Sequence, residues 1–239
     1  MKILQSILLF LLISSSFCYS EMMEKLQKSS SFSDAKIQAM AIIGDLLLSE
    51  KYEPAFVAGV LGNINHEGDI GMFESSNYAT HPELKPQYLK YMDDLYNYDT
   101  KYSGKCITDV SLDAVYKLLK ELKGDNWEKG KFGLGCVQWT GGRAYNLVET
   151  YKAECGNCDK ITLEKAIAGE GKMIIKEFKG NFAKVYNSWK SQNNSKNTPN
   201  AAYNAGVIVC KNYDVPADTE SEAQKRGNTA ANIYNIMTT

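Results

Sequence analysis

The sequence predicts a mainly α-helical chain, α+β at most, on three observations. Apolar residues recur at helical spacing in one segment after another, and capping and terminating residues bracket those segments. No stretch sustains the period-two alternation that a sizeable sheet needs. With 239 residues, 44% hydrophobic and 23% charged, the composition is that of ordinary globular protein, and the length admits one domain or two.

The first twenty residues stand apart. Lys2 precedes the apolar run Ile7 to Ile13, followed by Ser14, Ser15 and Ser16, which predicts a signal peptide cleaved near Ser20. That run is too short to anchor the chain in a bilayer, and no later segment is long and apolar enough. Loss of residues 1–20 removes Lys2 and no carboxylate, so the formal charge goes from -1 to -2. Residues 21–32 read as a loose, serine-rich lead. Ser33 then caps a helix whose apolar positions are Ile37, Met40, Ala41, Leu47 and Leu48. Pro54 suits the first turn of a second helix, running to about Glu67 and stopped by Gly68.

Between Gly68 and Asp109 lies a long irregular insert, rich in tyrosine and holding Pro82 and Pro86, which forms either a small hairpin or only loop. A helix follows Ser111, with Leu112, Val115, Leu119 and Leu122 inward and Gly124 as its end. Residues 143–154, 163–178 and 181–191 also read as helices, and 191–200 as a surface loop. The last helix begins at Thr219, which with Glu222 forms a capping box. With no repeats and no linker, residues 33–239 read as a single domain.

Composition excludes some classes. The charge is near zero and the only arginines are Arg143 and Arg226, so nothing supports nucleic-acid binding. Cys18 leaves with the signal, leaving Cys106, Cys136, Cys155, Cys158 and Cys210. In an oxidising compartment these are disulfide material, with one thiol left over. Cys155-Gly-Asn-Cys158 follows a helical stretch, whereas a redox pair opens a helix after a strand, and one such pair makes no zinc site. No metal and no cofactor is expected. Asn193-Asn194-Ser195 is a glycosylation sequon.

Chemistry enters at Glu67. On a helical wheel Phe56, Val60 and Glu67 project from one side, and Ile64 flanks them. A carboxylate thus continues an apolar stripe, where burial and the negative helix end are expected to raise its pKa. An acid protonated near neutrality is what protonation of a glycosidic oxygen requires. A last-turn glutamate leaning into water fits the same residue, and Glu67 alone favours that reading. The second feature is Phe132 to Arg143, where Gly133, Gly135, Gly141 and Gly142 allow close backbone approach. There Gln138 and Trp139 offer an amide and a flat apolar face, as sugars require, or else mark a glycine-rich turn with a core tryptophan. The third is Asn200 to Gly206, small residues around Tyr203 and Asn204.

In this order the three segments resemble the lysozyme-like superfamily. Asn63 to Gly68 looks like its catalytic-glutamate helix end. Gly133 to Trp139 looks like the Gly-Leu/Ile-x-Gln motif of phage tail lysozymes and lytic transglycosylases. Ala202 to Gly206 looks like the Ala-Tyr-Asn-Ala-Gly motif of the transglycosylases. The long gap between the first two, Gln138 to Arg143, and Val215-Pro216-Ala217-Asp218 before a helix are closer to the phage tail type. The resemblance covers residues 34–236. It implies a lysozyme-like helical domain cleaving the bond between N-acetylmuramic acid and N-acetylglucosamine, with Glu67 as general acid. Gln138 would face the cleft and hold substrate or water, Tyr203 and Asn204 would line the acid's side, and Trp139, grouped with these substrate-binding residues, would pack beneath the cleft. Two departures stand out: Gly68 where serine is common, and Cys136 where cysteine is unusual. Cys136 and Cys210 both follow motif positions, which suggests a disulfide bracing the cleft.

A hydrolase needs a second carboxylate, whereas a transglycosylase lets the substrate's acetamide assist. Asp69 and Glu74 are nearest in sequence, and Asp93, Asp94 and Asp99 lie in the insert, none at a distinctive spacing. The resemblance favours hydrolysis. The expected partner is bacterial peptidoglycan, met by a monomer outside the cell or in a digestive vacuole, antibacterial or bacteria-digesting. Alternatives are a lytic transglycosylase using Glu67 and a secreted wall-binding protein without catalysis. A cysteine peptidase needs a thiolate beside an imidazole, and only His66 and His81 are present.

Overall fold

The computed structural model describes residues 21–239 except Ser30, 75–100, 122–132, Asn157 and Ala217. The expected signal peptide lies outside these residues, as do Leu122, Gly124, Pro82, Pro86, His81, Asp93, Asp94 and Asp99. The chain divides into two compact units. The first holds the chain up to His66 together with Glu177–Thr239, and the second is Glu67–Lys176.

Helices make the first unit. They are α1 (21–28), α2 (Asp34–Ser49) and α3 (Pro54–His66), joined after the second unit by α7 (Ala183–Asn193), α8 (Pro199–Val209) and α9 (Thr219–Thr238). Ser33 caps α2 as its sequence predicts, its extended backbone letting the hydroxyl accept from the Lys36 N–H at 3.4 Å. In α3 every residue from Ala55 to Ile64 is buried, so it runs through the core with α2, α8 and α9 packed around it. Glycine sets how close they come. A Cβ at Gly62 or Gly206 would stand 2.8 Å from the Arg226 carbonyl, and one at Gly59 would overlap Ala205. Tyr52, Phe56, Phe178, Tyr186 and Trp189 pack ring on ring with centroids 4.8–6.3 Å apart, and Trp189 Nε1 donates to the Ala201 carbonyl at 2.8 Å.

Two expectations need correction here. The lead is a helix, because Met22 and Leu26, four residues apart, turn one face into the core and Lys25 Nζ donates to the Met237 carbonyl at 3.1 Å. The cap of α9 is Asp218, one residue earlier than predicted. Its carboxylate accepts from the Ser221 N–H at 3.5 Å, which places Thr219 inside the helix, and Glu222 turns instead to Lys225 and Arg226.

The second unit carries α4 (Leu112–Glu121), α5 (Gly141–Cys155) and most of α6 (Leu163–Lys179). Among its described residues there is no sheet, only isolated antiparallel bridges: Met72 to Cys106, Phe73 to Leu134 and Leu134 to Trp139. These join three short segments, 71–74, 104–107 and 133–139, into a small ribbon. Gly156, at φ 67, ends α5, and a disulfide links Cys155 to Cys158. Among the described residues, then, the protein is mainly α, as the sequence predicts.

Candidate functional site

Glu67 is the first residue past α3 and is half-buried. Pro54 and the run of apolar residues after it form the helix, and the chain bends at Glu67, with Gly68 next. Gly68 is packed against Gln138. A Cβ on Gly68 would overlap the Gln138 amide nitrogen and stand 3.0 Å from the Gly135 carbonyl. A serine at this position requires the Gln138 amide to move aside.

The loop carrying Gln138 is closed by a reciprocal pair of hydrogen bonds between Leu134 and Trp139, both 3.0 Å. Four residues bridge the ends, and the tight turn sets Gly135 at φ 78 and Gln138 at φ 52. For glutamine a positive φ is uncommon, and hydrogen bonds hold it there. Its N–H donates to the Gly135 carbonyl at 3.0 Å and its Nε2 to the same carbonyl at 2.8 Å. The other side of the amide lies on Gly133, where a Cβ would overlap Oε1. Gln138 is therefore clasped between Gly68 and Gly133.

The remaining candidates fall in different places. Glu74 belongs to the ribbon: its N–H donates to the Gly133 carbonyl at 2.8 Å and its Oε2 accepts from the Gly133 N–H at 2.9 Å. Asp69 is exposed, its carbonyl accepting from the Met72 N–H at 3.1 Å. Trp139 is 0% exposed, so its ring packs as core and not as an open sugar platform, in keeping with a place beneath the cleft. Tyr203 and Asn204 belong to the first unit. The Tyr203 ring lies on Gly227, 2.8 Å from where a Cβ would be, and Asn204 Nδ2 donates to Asn193 Oδ1 at 2.9 Å. The thiols expected to brace the cleft have other partners. Cys136 donates to Glu170, and Cys210 Sγ points at the Thr219 carbonyl, 4.0 Å away. Among the described residues Cys155–Cys158 is the disulfide, and no group of His, Cys, Asp and Glu suits a metal ion.

Sequence reasoning missed Glu170. It follows Ile167 by three residues and precedes Ile174 by four, so it continues the buried stripe of α6 just as Glu67 was expected to continue that of α3. Burial raises its pKa, with hydrogen bonds from Cys136, Tyr151 and Gly71 pulling the other way.

A family model described as phage tail lysozyme matches residues 38–237. No curated protein and no solved structure matches the chain.

Proposed function

The chain belongs to the phage tail lysozyme family, and we propose that it is a muramidase in which Glu67 acts as general acid. Membership carries peptidoglycan cleavage in general; the bond, the acid and the place of action are our reading. The observation that carries it is the contact of Gly68 with Gln138, which brings the residue after the acid against the amide of the glycine-rich loop. Glu67 would protonate the oxygen leaving from N-acetylmuramic acid, and Gln138, its amide fixed by main chain, would present a rigid polar edge to the sugar. Tyr203 and Asn204 enter this reading through their motif alone. The apolar run at residues 7–13 supports export, and the Cys155–Cys158 disulfide fits an oxidising destination, the cell exterior or a digestive vacuole. There a monomer acting on bacterial wall would serve defence or feeding.

One observation favours a second reading. Glu74 is engaged with Gly133 and Asp69 is exposed, so neither is set up as the base that hydrolysis needs. A lytic transglycosylase using Glu67 alone would manage without one. Clearing of a bacterial wall suspension by wild type and by Glu67→Gln tests the acid. The variant is expected to slow by about a hundredfold or more; an unchanged rate would sink the assignment. Mass spectrometry of the products separates the outcomes, a reducing end for hydrolysis and an anhydro-muramyl end for the transglycosylase.

A further inference from the structure

Glu170 is wholly buried on α6, and buried carboxylates persist only where donors meet them. Here the donors come from three separate segments. Oε1 accepts from the Gly71 N–H at 2.7 Å and from the Tyr151 hydroxyl at 2.5 Å. Oε2 accepts from the Cys136 N–H at 2.8 Å, and the Cys136 thiol donates to the same carboxylate. Two of these partners, the Gly71 and Cys136 N–H groups, can only donate, one to each carboxylate oxygen. Tyr151 is equally buried, and burial together with Glu170 pushes its phenol well above its usual range, so it stays a donor. The loop also wraps the carboxylate closely: a Cβ on Gly135 would stand 2.7 Å from Oε1.

The two N–H groups are placed with consequence. Gly71 lies four residues after Glu67, and Cys136 two before Gln138. One side chain therefore joins the segment leaving the candidate acid to the loop bearing the candidate amide, behind the point where Gly68 meets Gln138.

We propose that Glu170 is a positioning residue of this site, its carboxylate holding residues 67–71 against residues 133–139 and so fixing where Glu67 stands relative to Gln138. It touches no substrate and moves no proton. The proposal rests on the reading of Glu67 as the acid, and the experiment keeps the two apart.

The full chain is compared as wild type, Glu67→Gln, Glu170→Gln and Tyr151→Phe. Each is assayed for kcat and KM on soluble glycan-strand fragments and for amide hydrogen exchange at Gly71 and Cys136. Tyr151→Phe keeps the ring and removes one donor, so it decides the matter should Glu170→Gln fail to fold. Both substitutions are expected to lower kcat while KM stays within about twofold, by about tenfold for Tyr151→Phe and about a hundredfold for Glu170→Gln, as a displaced acid would. Exchange at Gly71 and Cys136 is expected to quicken, while that of α3 and α9 stays at wild-type rates. Variants that melt earlier yet keep wild-type kcat and exchange at those amides would overturn the proposal and leave Glu170 an ordinary core residue. Full activity in Glu67→Gln would overturn the acid instead, and the exchange rates alone would then decide whether Glu170 ties the two segments.

Discussion

At Gly68 the Gln138 amide fills what would be a side chain's place, so any larger residue must displace it. Gly68→Ala is therefore expected to cost about 1–3 kcal/mol, as overpacking does, and to lower wall-lytic activity by displacing Gln138 from the Gly135 carbonyl. Combining it with Gln138→Ala removes the clash, so the double variant should melt above Gly68→Ala alone. Additive melting shifts would mean that the two residues do not touch. Glu67 could be found at a helix end because Pro54 and Gly68 bracket the helix in the sequence itself. The burial of Trp139 was suggested by the family resemblance and not by its own turn, since a glycine-rich turn reads alike whether its ring points in or out; the absence of any exposed ring surface settles it. Glu170 stood between legible and hidden. Its place in an apolar stripe was visible, but its partners are main-chain N–H groups from distant segments, which leave no mark on composition.

Among elements, α9 shows how a boundary is decided. Asp218 and Thr219 both suit a cap, and Glu222 stands where a capping box with Thr219 would want it. Arg226 and Lys225 compete for that glutamate one turn on, leaving the N-terminal amide to the Asp218 carboxylate. Asp218→Ala should lose about 1 kcal/mol, or about 2–4 °C in Tm for a chain of this size. An unchanged Tm would return the cap to Thr219. The ends of α3, α5 and α6 were legible to within a residue or two because proline, glycine and apolar spacing agree there. The lead helix was not, since its polar composition masks the two residues, Met22 and Leu26, that hold it down.

For the molecule as a whole, acid sensitivity has an identifiable contributor. His66 at the end of α3 shares a 2.8 Å hydrogen bond with the Thr229 hydroxyl on α9. Its pKa is lowered from 6.5 by burial and then by Arg226, with Lys225 and Lys36 adding to this and Glu222 opposing it. The fold thus disfavours the protonated ring. Below pH 6.5 the unfolded chain takes up the proton first, so this contribution to stability is complete above that pH and falls as pH drops towards the lower folded value. Replacing His66 with glutamine should flatten the Tm profile below about pH 6.5. A profile as steep as wild type would assign the acid sensitivity to other groups.

The Cys155–Cys158 disulfide bears on how such a protein can be made. Only three positions separate its ends, so the ring it closes restrains little of the unfolded chain, about 2 kcal/mol against about 4.7 for a hundred-residue loop. The hydrogen bonds that shape the Gln138 loop pass through neither sulfur. Production in a reducing bacterial cytosol is therefore compatible with folding. It also keeps a wall-cutting enzyme on the harmless side of its host's inner membrane until the cells are broken.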